Sequence, residues 1–266
     1  MRTIWISLIV VLSFLLLANC NNNPSPSPTS PPPPPTFNLD HFVAYEVSLR
    51  VPVEDQFIKK YLKRPYRIKL EGIEIFANVV SKDGETLKDP NAHLAWYRIP
   101  EQRPPGNLTI KYLNQITNFK EKSMTVGAGR ALLVPSEKVE GDSKFPKKLD
   151  HYICYQVARG SDQPKTVTLV DQFKTNTTRV IGPLYFCAPC SKPDEPIKNK
   201  EDHLTVYAIK DDKPVNKTYL IQNQFGEQRL TFEKQIFLLV PTKKVDFSSP
   251  GFPSKPTPGQ PIEKED

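Results

Sequence analysis

Asp150-His151-Tyr152-Ile153-Cys154-Tyr155 decides how this chain is read, because its histidine and tyrosine, four residues apart, recur at regular places. The chain holds four histidines, His41, His93, His151 and His203, and each is followed four residues later by a tyrosine, at Tyr45, Tyr97, Tyr155 and Tyr207. Asp40, Asp150 and Asp202 precede three of them, and Ala92 precedes the other. A pattern this regular is the mark of an internal repeat.

Two further signatures follow in each copy. The first is Asp55-Gln56-Phe57, Asn114-Gln115-Ile116, Asp171-Gln172-Phe173 and Asn223-Gln224-Phe225. The second closes the copy and ends on a lysine: Phe76-Ala77-Asn78-Val79-Val80-Ser81-Lys82, Leu132-Leu133-Val134-Pro135-Ser136-Glu137-Lys138, Phe186-Cys187-Ala188-Pro189-Cys190-Ser191-Lys192 and Leu238-Leu239-Val240-Pro241-Thr242-Lys243-Lys244. His41 to His151 and His93 to His203 are both 110 residues apart, so the period is a pair of copies. Copies one and three share Asp-Gln-Phe and an 11-residue interval from closing lysine to next histidine; copies two and four share Asn-Gln and Leu-Val-Pro.

Short alternating runs such as Val167-Thr168-Leu169-Val170 and Tyr219-Leu220-Ile221, rich in β-branched and aromatic residues, predict strands throughout and no long amphipathic helix. Each copy of about 50 residues reads as four strands, in the fourth near His203–Ile209, Thr218–Gln222, Gln228–Phe232 and Ile236–Pro241. The fold expected is all-β: two tandem β-sandwich or β-barrel domains, at 37–140 and 146–247, each of two copies and dividing near Glu140–Leu149. A four-bladed propeller is the alternative, disfavoured because equal blades give odd and even copies no reason to differ.

The order of these motifs resembles a tandem-repeat domain family of unknown function found in bacterial envelope and secreted proteins. Copy three carries the likeness best, in Asp150-His151-Tyr152-Ile153-Cys154-Tyr155, Asp171-Gln172-Phe173 and Phe186-Cys187-Ala188-Pro189, and copy four matches its cysteine-free version. Copy one departs most, with Ala44 and Ala77 at the cysteine positions. The resemblance covers nearly all of the folded portion and implies no activity.

Outside the repeats, Arg2 and the apolar run Ile4–Leu17 have the order of a secretory signal peptide over 1–19, and the run is too short to cross a bilayer. Leu17-Ala18-Asn19-Cys20 resembles the bacterial lipobox in a relaxed form, since Asn19 replaces the usual small residue, and it marks Cys20 for lipidation. The alternative is ordinary cleavage with Cys20 left as a thiol. Asn21 after the cysteine favours the outer membrane by resemblance to known sorting rules. Residues 20–36 form the lipidated cysteine and a stalk: eight of the twelve residues Pro24–Pro35 are proline, a polyproline II composition reaching roughly 35 to 40 Å. The tail 248–266 has too few apolar residues for a core and is read as disordered.

The net charge of +7 falls to +6 when Arg2 leaves with the signal, and it is dispersed apart from Lys59-Lys60 and Lys63-Arg64. Such a balance in an exported chain argues against nucleic acid and permits contact with anionic lipid or polysaccharide. The expected partners are the membrane, through lipid on Cys20, and a host or envelope protein or polysaccharide; the chain is expected to be a monomer.

No Gly-x-Ser-x-Gly elbow, phosphate loop or recurring carboxylate pair occurs, so no catalytic residue and no cofactor is assigned. The four histidines sit at equivalent places of separate copies, which argues against a shared metal and for a structural role: Asp-His opening the first strand, the ring hydrogen-bonded, the tyrosine packed. Cys187-Ala188-Pro189-Cys190 has redox spacing but falls in a strand, not at a helix start. Where copy three has Cys154 and Cys187, the others have Ala44 and Ala77, Trp96 and Leu133, and Val206 and Leu239. A Cys154–Cys187 disulfide with Cys190 left over is the pairing that fits; a bridge through Cys190 is the alternative. The sequons at Asn107, Asn176 and Asn216 are read as coincidence. The leading expectation is a non-enzymatic, membrane-anchored envelope lipoprotein acting in adhesion, ligand binding or envelope organisation, with surface display as a further expectation. The alternative is an exported redox or hydrolytic enzyme without a recognisable motif.

Overall fold

Each His-x-x-x-Tyr segment is buried on both faces, from His41 to Tyr45, His93 to Tyr97, His151 to Tyr155 and His203 to Tyr207. Such burial explains why these stretches read as continuous apolar runs, since a strand covered on both sides has no solvent face to mark with polar residues. The computed structural model describes residues 33–48, 56–59, 65–68, 70, 72–102, 108–139, 144–158, 164–192, 195–211 and 213–248.

The strands in chain order are β1 (His41–Ser48), β2 (Gln56–Lys59), β3 (Pro65–Ile68), β4 (Ile73–Lys82), β5 (His93–Gln102), β6 (Leu108–Asn114), β7 (Lys122–Pro135), β8 (Glu137–Lys138), β9 (His151–Val157), β10 (Lys165–Val170), β11 (Thr175–Cys190), β12 (His203–Ala208), β13 (Lys217–Asn223) and β14 (Gly226–Ser248). Twelve belong to one antiparallel sheet, and β2–β3 form a separate hairpin. The all-β class is as expected.

In every copy the first strand pairs with the closing strand: β1 with β4, β5 with β7, β9 with β11, and β12 with β14. The copies then join edge to edge through β4–β5, β7–β9, β11–β12 and β14–β1. These eight pairings form a closed circuit. All eight strands contribute to one apolar cluster, which includes Phe42, Ala44, Ala77, Trp96, Leu133, Cys154, Cys187, Val206 and Leu239. The alternate residues, among them Tyr45, Tyr97, Tyr155 and Tyr207, belong to a second cluster on the other face. That second cluster also takes in Ile110, Tyr112, Met124, Val167, Leu169, Ile221, Leu230 and Phe232 from the hairpin arms of copies two to four.

This arrangement corrects the expected division near Glu140–Leu149. Copy two pairs with copy three as it does with copy one, copy four returns to copy one, and the described residues from Pro35 onward form one compact unit. A pair of copies would leave β1 and β7 as open edges, and the second pair covers both. Nor do four propeller blades describe it, because hydrogen-bond ladders run between the copies.

A second correction concerns copy four, where the expected strands Gln228–Phe232 and Ile236–Pro241 are parts of the single strand β14. The polar stretch Glu233-Lys234-Gln235 reads as a turn but is a change of partner. Before it β14 pairs with β13, after it with β12 and finally with β6, while β1 runs along it from Thr231 to Leu239. Register shifts opposite Tyr45 absorb the bend, as a bulge does.

Candidate functional site

The signature residues converge, between copies that are not neighbours in the circuit. Asp171 of copy three accepts a hydrogen bond at Oδ2 from the Tyr45 hydroxyl of copy one, at 2.8 Å. Asn223 of copy four donates from Nδ2 to Tyr97 Oη and Ser136 Oγ of copy two, at 2.9 and 3.1 Å. Asn114 of copy two donates from Nδ2 to Tyr207 Oη and Thr242 Oγ1 of copy four, at 3.0 and 3.1 Å. Copy n therefore meets copy n+2, which is the 110-residue period of the sequence. The fourth such pairing would involve Asp55, which lies outside the described residues.

One side-chain oxygen of each Asx residue closes its own turn. Asp171 Oδ1 accepts from the Phe173 and Lys174 amides, Asn114 Oδ1 from Ile116 and Thr117, and Asn223 Oδ1 from Phe225. The other side-chain atom reaches the tyrosine. Only Asp and Asn have both functions at this length, so the motif accepts either. Gly226, with φ +105°, ends the Asn223 turn in a conformation that favours glycine. The aromatic residue of the motif packs edge-on against the same tyrosine, Phe173 on Tyr45 and Phe225 on Tyr97.

The glutamine of the motif faces the preceding copy. Gln172 Oε1 accepts from Lys138 Nζ, and Gln224 Oε1 accepts from Lys192 Nζ and, at 3.2 Å, from His151 Nε2. In copy one Lys82 pairs with Asp83 and Glu85, at 3.0 and 3.4 Å. Lys82 and Lys138 are only 4% and 5% exposed. Sequence reasoning quoted the closing lysines as a signature without marking them as buried. It missed Glu85 and Glu195 entirely, although both stand three residues after a closing lysine of an odd copy.

The histidines are buried as expected for a structural role, with differing partners. His41 Nδ1 lies 3.1 Å from Glu85 Oε2, and His203 Nδ1 donates to the Glu201 carbonyl at 3.0 Å. Among the described residues His93 Nδ1 and His41 Nε2 have no hydrogen-bond partner. Burial pushes His93 down to about 3, and His151 and His203 down to about 4. Burial also lowers His41, opposed by the hydrogen bond and charge of Glu85. Burial works to raise Glu85, but the hydrogen bond and charge of His41, the Gln115 side chain and the charge of Lys82 together outweigh it and hold the carboxyl at about 2. Asp40 accepts the backbone amides of Lys88 and Asp89, and Asp150 those of Lys198 and Asn199, so the aspartate before an odd-copy histidine holds the loop into the next copy. Among the described residues no group of three or more His, Cys, Asp or Glu side chains could hold a metal ion.

Cys154 and Cys187 form a disulfide, as expected, and Cys190 is buried outside that bridge. The apolar pairs of the other copies are direct cross-strand partners too: Ala44 with Ala77, Trp96 with Leu133, and Val206 with Leu239. Cys187 belongs to one apolar cluster and Cys190 to the other, so the two cysteines of the redox-like spacing stand on opposite faces of β11. Cys20 lies outside the described residues.

A cleft of about 370 Å³ opens at the end of copy three, where copies two and four approach. Its lining combines Lys192, Lys198, Glu137 and Glu195 with Gln222, Gln224, His151 and the exposed ring of Phe145. Glu195 Oε1 lies 3.3 Å from Lys198 Nζ, and its other oxygen pairs with Lys192.

No curated protein and no solved structure matches the chain. Residues 93–241 match the family described as a "Repeat of unknown function (DUF7450)", a span that begins at the histidine of copy two and ends in the closing motif of copy four. With more than half of its length in that match, the chain belongs to this repeat family of unknown function.

Proposed function

We propose that the protein is a non-enzymatic lipoprotein of the cell envelope, anchored through lipid on Cys20 and displaying one rigid repeat unit beyond a Pro-rich stalk. The observation that carries this reading is the apolar run Ile4–Leu17 followed by Leu17-Ala18-Asn19-Cys20 and then by the prolines of Pro24–Pro35. Asn21 supports placement in the outer membrane, with surface display as the further step. The internal use of the signature residues supports a scaffold: the histidines, tyrosines, Asx residues and lysines fasten copies to one another. Adhesion, ligand binding or envelope organisation fits such a unit, and the cleft beside His151 and Lys192 is the place for a polar partner such as a protein segment or polysaccharide.

Metabolic labelling with a fatty-acid probe tests the anchor. The wild-type chain should take up label and partition with membranes, and Cys20→Ala should do neither. A label-free wild type recovered in the soluble fraction would overturn the reading.

A further inference from the structure

Lys138 is a buried amine at the contact between copies two and three. It is 5% exposed, and its Nζ donates to Oε1 of Gln172, which comes from the next copy. The rings of Phe173 and Tyr219 flank the nitrogen, with centroids 5.7 and 5.5 Å away. Burial lowers its pKa to about 8, against the opposing charge of Asp171, so a fraction of the amine is neutral near neutral pH. The glutamine is held by a closed turn: Asp171 Oδ1 accepts the amides of Phe173 and Lys174, and the Asp171 amide donates to the Lys174 carbonyl at 3.1 Å.

We propose that Lys138 and Gln172 form an intramolecular amide cross-link, which ties copy two covalently to copy three. The neutral amine adds to Cδ of Gln172, a bond forms between Nζ and Cδ, and the bond from Cδ to Nε2 breaks. The proton shed by Nζ passes to Nε2, with the neighbouring Asp171 carboxylate as its carrier. One alkylammonium and one carboxamide become one secondary amide and one ammonium ion, and nothing is oxidised or reduced. Holding amine and amide in contact supplies the proximity that such reactions lack in solution. Gln172 lies at the surface, so the ammonium leaves directly into water.

Lys192 and Gln224 repeat the contact one copy later and serve as a reference within the same molecule. That lysine is 21% exposed and ion-paired to Glu195, and it stays unlinked.

Peptide mapping of the full chain by tandem mass spectrometry tests the proposal. The wild type should yield a branched peptide containing Lys138 and Gln172, lighter by one ammonia than its two linear halves, while Lys192 is recovered unlinked. Lys138→Arg, which keeps the charge, should return linear peptides. Linear peptides with intact Lys138 and Gln172 in the wild type would overturn the cross-link. So would an ammonia loss that persists in Lys138→Arg, since it would then arise at another residue.

Discussion

The odd and even copies solve the same contact with different chemistry. At Tyr97 and Tyr207 the partner is a buried asparagine whose amide also meets a hydroxyl, Ser136 or Thr242. At Tyr45 the partner is the aspartate Asp171, more open to solvent, and Val80 stands where the even copies have the hydroxyl. A neutral amide with every valence satisfied suits a dry site, and a carboxylate suits one that water reaches. The 110-residue period thus records which copies touch, one with three and two with four. It is not the signature of two separate domains.

The histidines extend the comparison, and acid should produce the largest effect. His93 and His203 of the even copies and His151 fold with pKa values of about 3, 4 and 4, below the 6.5 of the unfolded chain. The unfolded chain therefore binds more protons in that interval, so stability is full above about pH 6.5 and is lost as pH falls toward 4. Glu85, held at about 2, adds a loss at still lower pH, while Asp202, raised by burial to about 6, works the other way as pH rises through that value. At pH 4.5 the cost is roughly 2 to 3 kcal/mol per histidine before Asp202 offsets part of it. Melting curves at pH 7 and pH 4.5 should show a large drop in Tm. His93→Gln should flatten the pH dependence more than His41→Gln, because Glu85 already favours a charged His41. Equal slopes in both variants would remove the distinction drawn between His93 and the Glu85-paired His41.

Exchanging the two Asx types should give a smaller effect of unequal size. Asn114→Asp places a carboxylate at a fully buried position where Nδ2 donated to two hydroxyls, and should cost about 3 kcal/mol at pH 7. Asp171→Asn keeps the turn and a partner for Tyr45, and should cost about 1 kcal/mol. Chemical denaturation measures both. If Asp171→Asn is the more damaging exchange, the assignment of dry and wet contacts is reversed.

The repeat was legible because its signatures are short and rigidly spaced, and the pairs Ala44/Ala77, Trp96/Leu133, Cys154/Cys187 and Val206/Leu239 were legible because one register makes them neighbours. Closure of the circuit was not. Nothing local in β7 or β9 announces that Leu132 will lie opposite Ile153 across the expected boundary, since edge pairing depends on which strands need covering. The contact from Asp171 to Tyr45 spans 126 residues and leaves only an Asp/Asn alternation in the sequence. The buried Lys82 and Lys138 went unread because lysine is ordinarily a surface residue, and what buries them comes from other copies and loops.

The central claim is that four copies close one circuit and that two do not make a domain. The most direct measurement is the folding of residues 37–140 alone, by circular dichroism and analytical ultracentrifugation. With β1 and β7 deprived of β14 and β9, this half should yield no folded monomer, being either unfolded or paired with a second half through those edges. A half that folds as a monomer with its own cooperative melting transition would contradict the closed circuit and restore the two-domain reading.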